Sequence, residues 1–203
     1  PGNQLCMRCH TAGGFPNAPV ILPEMHSFHK ADSTGSQCIN CHMPQTTYMQ
    51  RHPRHDHGFT IPDPLLTKQF GVPNACNKCH TDKDTDWALT ASEKWWGDKM
   101  NRKTRTRASL IAKARQGDAS ARDGLISLLE SDEMPHWKAS AVLLLERWMN
   151  EPVVSGAVAA LLDHADPLVR ASAARALDAA VDDTDDDRQR HGDRADLPGA
   201  ERQ

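Results

Sequence analysis

Apolar positions are spread unevenly along the chain, and the unevenness divides it. Beyond residue 105 they recur at helical spacing among Ala, Leu and Arg, which predicts helices over about 106–116, 120–131, 135–149, 152–163 and 167–181. Two of these stretches align at an offset of 32 residues, matching Gly124 with Gly156, Leu129 with Leu161, Pro135 with Pro167, Ala139 with Ala171, Ser140 with Ser172, Ala141 with Ala173 and Leu145 with Leu177. Lys138 and Arg170 coincide in charge. A period of that size, with two helices per unit, is the signature of an α-solenoid in which neighbouring helix pairs bury each other's apolar stripe.

The first hundred residues lack such a pattern. Aliphatic runs are short and are broken by Gly13-Gly14 and by Pro16, Pro19, Pro23, Pro44, Pro53, Pro62, Pro64 and Pro73. One clear helix is expected, over 86–97, with Thr85 or Asp86 as N-cap and Gly97 as the stop. A segment of this kind cannot bury much core from its own side chains. Beyond residue 181 the chain is acidic and then basic, with almost no apolar side chains, and reads as a flexible polar tail over 182–203. The Asp166-Pro167 start, with Asp at the N-cap and Pro at N1, gives the last repeat the look of a HEAT unit.

Composition sharpens the division, because eight of the eleven histidines, all four phenylalanines and the single tyrosine lie before residue 81. All six cysteines lie there too, and all of them fall in three Cys-x-x-Cys-His motifs: Cys6 to His10, Cys38 to His42 and Cys76 to His80. Two thiols three positions apart can each bond one vinyl group of a single porphyrin while the adjacent imidazole binds its iron. Three covalently attached c-type haems are therefore expected, with thioethers at Cys6, Cys9, Cys38, Cys41, Cys76 and Cys79, and His10, His42 and His80 as proximal ligands. Zinc or a redox pair would also use Cys-x-x-Cys, but neither explains the histidine that follows every time. Three porphyrins would supply the apolar surface that the first hundred residues lack.

Each iron then takes a second ligand or keeps an open face. His26, His29, His52, His55 and His57 are the free histidines of the region. His26 and His29 stand at i and i+3, within reach of two adjacent haems, and Asp56 beside His57 could fix an imidazole tautomer. His52 and His55 alternate with Arg51 and Arg54 in what reads as a solvated basic loop. Met7, Met25, Met43 and Met49 are alternatives as ligands, though packing is the commoner use of methionine. Trp87, Trp95 and Trp96 are expected to pack against the third haem, with electron relay as the other use. His136 and His164 read as surface residues.

The stretches Met25-His26-Ser27-Phe28-His29-Lys30, Cys38 to Pro44, His57-Gly58-Phe59-Thr60-Ile61-Pro62 and Pro73 to Asp82 resemble a family of secreted multihaem c-type cytochromes. Its members join a haem-binding domain to C-terminal HEAT or TPR repeats. The resemblance covers about residues 5–100 closely. It implies His26, His29 and His57 as distal ligands; His55 falls where the family tends to carry arginine, and the family often has further haem motifs upstream.

The expected fold is mainly α: a loop-rich triheme cytochrome c domain with little regular structure over 1–103, a short HEAT-like α-solenoid over 104–181, and the tail. The expected function is extracytoplasmic electron transfer by three haem c, with redox partner proteins and a docking partner on the HEAT region. The alternatives are a multihaem oxidoreductase with one open haem acting on a small nitrogen or sulfur compound, served by Arg51, His52, Arg54 and His55, and a redox subunit of a larger complex or filament. A formal net charge of −3 gives no sign of a nucleic-acid partner, and no apolar run is long enough to span a membrane. Covalent haem attachment points to a periplasmic or extracellular location. The start at Pro1, without a signal sequence, suggests a leader already removed, or truncation.

Overall fold

A computed structural model describes residues 2–195, with side chains through Val181. The chain is mainly helical and separates into two compact units that divide between Arg105 and Thr106.

The first unit strings short helices along irregular backbone: α1 Gln4–Met7, α2 Pro23–Ser27, α3 Cys38–His42, α4 Pro64–Phe70, α5 Cys76–Cys79 and α6 Thr85–Trp96. Helices of one turn are below the length at which they hold by themselves, so they depend on what they dock against. The better-formed α4 and α6 pack on each other. Asp63 caps α4 by accepting the Leu65 N–H at 3.1 Å, Pro64 occupies its first turn, and Gly71 closes it at φ 69°. The same Asp63 carboxylate takes a bidentate pair from Arg105 Nε and Nη2 at 2.7 and 2.9 Å, largely out of water. On α6 the cap is Asp84, which accepts the Trp87 N–H at 2.8 Å, one position before the expected Thr85 or Asp86.

A two-stranded antiparallel hairpin, β1 Gln45–Tyr48 and β2 His52–His55, replaces the basic loop expected there, with Gln45 opposite His55 and Tyr48 opposite His52. Its turn carries Met49 and Gln50 at positive φ, 48° and 61°. Those are the dihedrals of a primed hairpin turn, here without the Asn or Gly that announces one. Arg54 lies over the Tyr48 ring, 4.8 Å from its centroid.

The second unit is a helical stack: the rest of α7 Lys103–Arg115, then α8 Ser120–Glu130, α9 Pro135–Leu145, α10 Pro152–Ala159 and α11 Pro167–Ala195. Proline opens α9, α10 and α11, where a missing N–H costs nothing. Asp166 accepts the Leu168 N–H at 2.8 Å, as its N-cap position requires. Leu125, Leu129, Val142, Leu145, Val154, Val158, Val169 and Ala173 form one buried cluster. Repeat-matched positions fall inside it, Leu129 with Leu161 and Ala141 with Ala173. Arg107 pairs in bidentate fashion with Glu133 and lies over the Trp137 ring, 4.6 Å from its centroid. The last helix continues to Ala195, past the expected end near 181; the remaining tail residues lie outside the described ones.

The two units differ most in what they bury. The second has the apolar cluster above, whereas among the described residues the buried apolar side chains of the first are Pro64, Ala75, Ala88 and Met100. Leu5, Phe15, Met25 and Phe59 of the first unit stand 77%, 65%, 72% and 66% exposed.

Candidate functional site

All three Cys-x-x-Cys-His motifs take the same local shape, a single helical turn. The His10 N–H donates to the Cys6 carbonyl at 3.1 Å and the His80 N–H to the Cys76 carbonyl at 2.9 Å, while α3 is the second motif itself. Such a turn brings the paired thiols to one side and the histidine next to them. The motifs also adjoin one another. Asn3 joins the first to the second, accepting the Cys38 N–H and donating to the Ser36 carbonyl, both at 2.8 Å. Lys78, within the third, donates its ammonium to the Gln45 carbonyl at the start of β1.

Three of the thiols are held toward the protonated form. Burial pushes the Cys41 thiol up to about 11, with Cys76, Cys79 and Cys38 adding to it. Burial likewise raises Cys38, helped by Cys6, and Cys76, helped by Cys79.

The proximal candidates are oriented by main-chain carbonyls. His10 Nδ1 lies 3.0 Å from the Pro19 carbonyl and His42 Nδ1 lies 2.9 Å from that of Thr60. A carbonyl only accepts, so Nδ1 carries the hydrogen and Nε2 keeps its lone pair for a metal. The His42 and His26 rings stand 6.0 Å apart between centroids at 19°, and His80 and His29 stand 6.1 Å apart at 39°. Two metal–nitrogen bonds of about 2 Å, plus about 1.1 Å from nitrogen to ring centre on each side, give about 6 Å for imidazoles on opposite faces of one iron.

Of this second pair of histidines, His29 is held through Nδ1, 2.6 Å from the Ser27 carbonyl. A Cβ placed on Gly35 would overlap the His29 ring, so only glycine leaves room for the imidazole there. His26 has its pKa lowered, first by burial and then by the charges of His42, Lys99 and Arg102, which favours the neutral, ligating form. Between them Phe28 closes α2 in the left-handed region at φ 57°, a conformation that costs an aromatic residue about 1 kcal/mol or more.

The α6 aromatics gather around these rings. Phe28 stacks on Trp95 at 4.9 Å and 9°, Trp96 lies 6.2 Å from His26, Trp95 lies 6.2 Å from His29, and Trp87 lies 4.8 Å from His80. The sequence reading placed the tryptophans near the third motif; it missed their contacts with α2, which lie about 70 positions away and leave no local signal.

His57 is exposed, and among the described residues no ring contact joins it to a motif histidine. Its segment nonetheless passes His42 through the Thr60 carbonyl. His55 is occupied on both ring nitrogens within the hairpin, Nδ1 at 2.6 Å from the Met43 carbonyl and Nε2 at 3.2 Å from the Gln45 amide. His52 sits exposed on β2, and Met25 and Met49 are 72% and 73% exposed. In the second unit His136 lies against Trp137 and His164 Nδ1 accepts the Asp166 N–H, both local roles.

The residues of the first unit fit haem c. Its exposed apolar side chains want cover, its own core is minimal, and the Nε–H of Arg102 is buried without a partner. An unmatched buried donor costs about 1–3 kcal/mol, and beside His26 a propionate carboxylate would satisfy it. Haem supplies reversible one-electron chemistry at its iron; the chain supplies attachment, axial orientation and cover.

No helix of the described residues is long and apolar enough to cross a membrane. No curated protein and no solved structure matches the chain. The cytochrome c552 family matches residues 4–131, which take in all three motifs, α2 and α6. The chain belongs to the cytochrome c552 family, as a haem c protein of electron transfer.

Proposed function

We propose that the chain is an extracytoplasmic electron carrier, periplasmic or secreted, with three covalent haems, two of them closed by the pairs His42–His26 and His80–His29. The observation that carries this reading is the matched 6.0 and 6.1 Å spacing of the two ring pairs, each formed by one motif histidine and one histidine of the Met25–His29 segment. Iron closed on both faces exchanges electrons without binding substrate. His10 ligates the remaining haem, that of the first motif, with His57 as its first distal candidate and His55 and His52 behind it.

The test is ferric spectroscopy of single variants. His26→Ala and His29→Ala each convert one low-spin haem to high spin, and the double variant converts two. Low-spin spectra throughout would overturn the pairing.

The second unit is read as a HEAT-like array that docks a redox partner or a larger assembly. Support comes from the 32-residue offset in the sequence, two of whose matched pairs, Leu129 with Leu161 and Ala141 with Ala173, lie in the buried cluster. Deleting residues 106–203 abolishes partner capture while haem spectra persist; unchanged capture would dismiss docking through this unit.

A further inference from the structure

We infer that Trp95 and Trp96 form a clamp that sets the two distal imidazoles, Trp96 as the positioning residue of His26 and Trp95 as that of His29. The inference rests on the ligand pairs proposed above.

The helix that carries these histidines, α2, is five residues long, has no side-chain cap, and ends on a left-handed phenylalanine. Within the segment Ser27 braces His29 alone, through its carbonyl and hydroxyl, and so short a turn needs a further hold to keep the geometry that two irons would demand. The hold comes from the end of α6. Trp96 Nε1–H donates to the main-chain carbonyl of His26 at 3.2 Å, and its ring lies 6.2 Å from the His26 ring at 44°. Trp95 stacks on Phe28 at 4.9 Å, nearly parallel, and meets His29 edge-on at 6.2 Å and 72°.

Trp95 and Trp96 pack against each other at 5.5 Å and 80°, and Trp96 also meets Phe28 edge-on at 6.2 Å. Phe28 is thus the handle between the two ligands, gripped on its face by one indole and at its edge by the other. Aromatic faces and edges lock relative orientation more tightly than aliphatic contact does. The consecutive tryptophans therefore fix where His26 and His29 point, and not only that α2 is covered.

The test uses the full haem-loaded chain and four variants: Trp96→Phe, Trp95→Phe, His26→Ala and His29→Ala. Low-temperature electron paramagnetic resonance and cyanide titration are read on each, with haem content measured alongside. The histidine variants identify which low-spin signal belongs to which ligand. Trp96→Phe is expected to keep full haem content, to shift the signal that His26→Ala abolishes, and to ease cyanide displacement at that haem roughly two- to tenfold, the worth of one hydrogen bond. Trp95→Phe, which narrows the ring stacked on Phe28, should shift the signal of His29 in the same direction.

If the histidine variants act as expected while both tryptophan variants leave those signals and cyanide affinities at wild type, the clamp is wrong and the ligation stands. Equal shifts of every haem signal would also overturn it, as mere loss of packing. If neither histidine variant moves a signal, the ligation reading itself falls. Should a tryptophan variant fail to mature, Phe28→Leu removes the gripped ring instead. Displacement of the same two signals supports the clamp, and unchanged signals overturn it.

Discussion

At the scale of residues, ligation is a matter of how rings are held. Carbonyls of Pro19 and Thr60 hold His10 and His42, and that of Ser27 holds His29. Glycine at 35 matters as much, since any side chain there occupies the place of the His29 ring. Gly35→Ala is therefore expected to weaken or break one distal bond, seen as a high-spin ferric component absent from the wild type. Gly156→Ala, on α10 with open space around it, leaves the spectrum unchanged and adds up to about 1 kcal/mol to thermal stability. An unaltered spectrum for Gly35→Ala would place His29 elsewhere. The motif cysteines and histidines stood out in the sequence because the attachment chemistry proposed for them needs a fixed local spacing. The roles of Trp96 and Arg102 did not, because each acts on a residue distant in sequence, and that of Gly35 did not, because the path of the loop that brings it against His29 leaves no pattern.

At the scale of elements, the same contrast holds between local and distant causes. Capping chemistry located α6 to within a residue, the cap being Asp84, and apolar spacing located the helices of the second unit. Two elements departed from expectation for identifiable reasons. The hairpin turn uses Met49 and Gln50 at left-handed dihedrals, residues that carry no turn signal, so its strands read as a basic loop. The last helix runs on to Ala195, because an end of apolar periodicity does not by itself end a helix. Within the first unit α4 is held at its start by Asp63, which serves both as cap and as partner of Arg105. Asp63→Ala removes both contacts and leaves a partly buried guanidinium unpaired, so the first unit should lose about 2–4 kcal/mol. Thermal melting followed through haem absorbance measures it; a loss under about 0.5 kcal/mol would show that the pair holds nothing together.

At the scale of the whole molecule, one unit has a core and the other has places for haem. The sequence already implied this through its broken apolar pattern before residue 100, and the burial of little beyond Pro64, Ala75, Ala88 and Met100 gives it a physical form. Without haem the first unit has too little apolar burial to offset the entropy of ordering its loops. Chain made without haem attachment should therefore keep a protease-resistant helical fragment from the second unit while residues 2–105 are digested. Equal resistance of both units would contradict that coupling. What the sequence left open was the pairing of ligands, since spacing along the chain does not say which imidazoles meet across an iron; the pairing proposed above rests on the ring distances. The central claim, a carrier whose haems are closed by histidine and stand in place of a core, is tested most directly by a redox titration followed by low-temperature electron paramagnetic resonance, with haem content determined on the same sample. Three haems per chain are expected, with low-spin ferric signals from the His42 and His80 haems that titrate as one-electron steps and are unchanged by cyanide at low concentration. A different haem count, or a high-spin signal from either of those two haems in the wild-type protein, would contradict it.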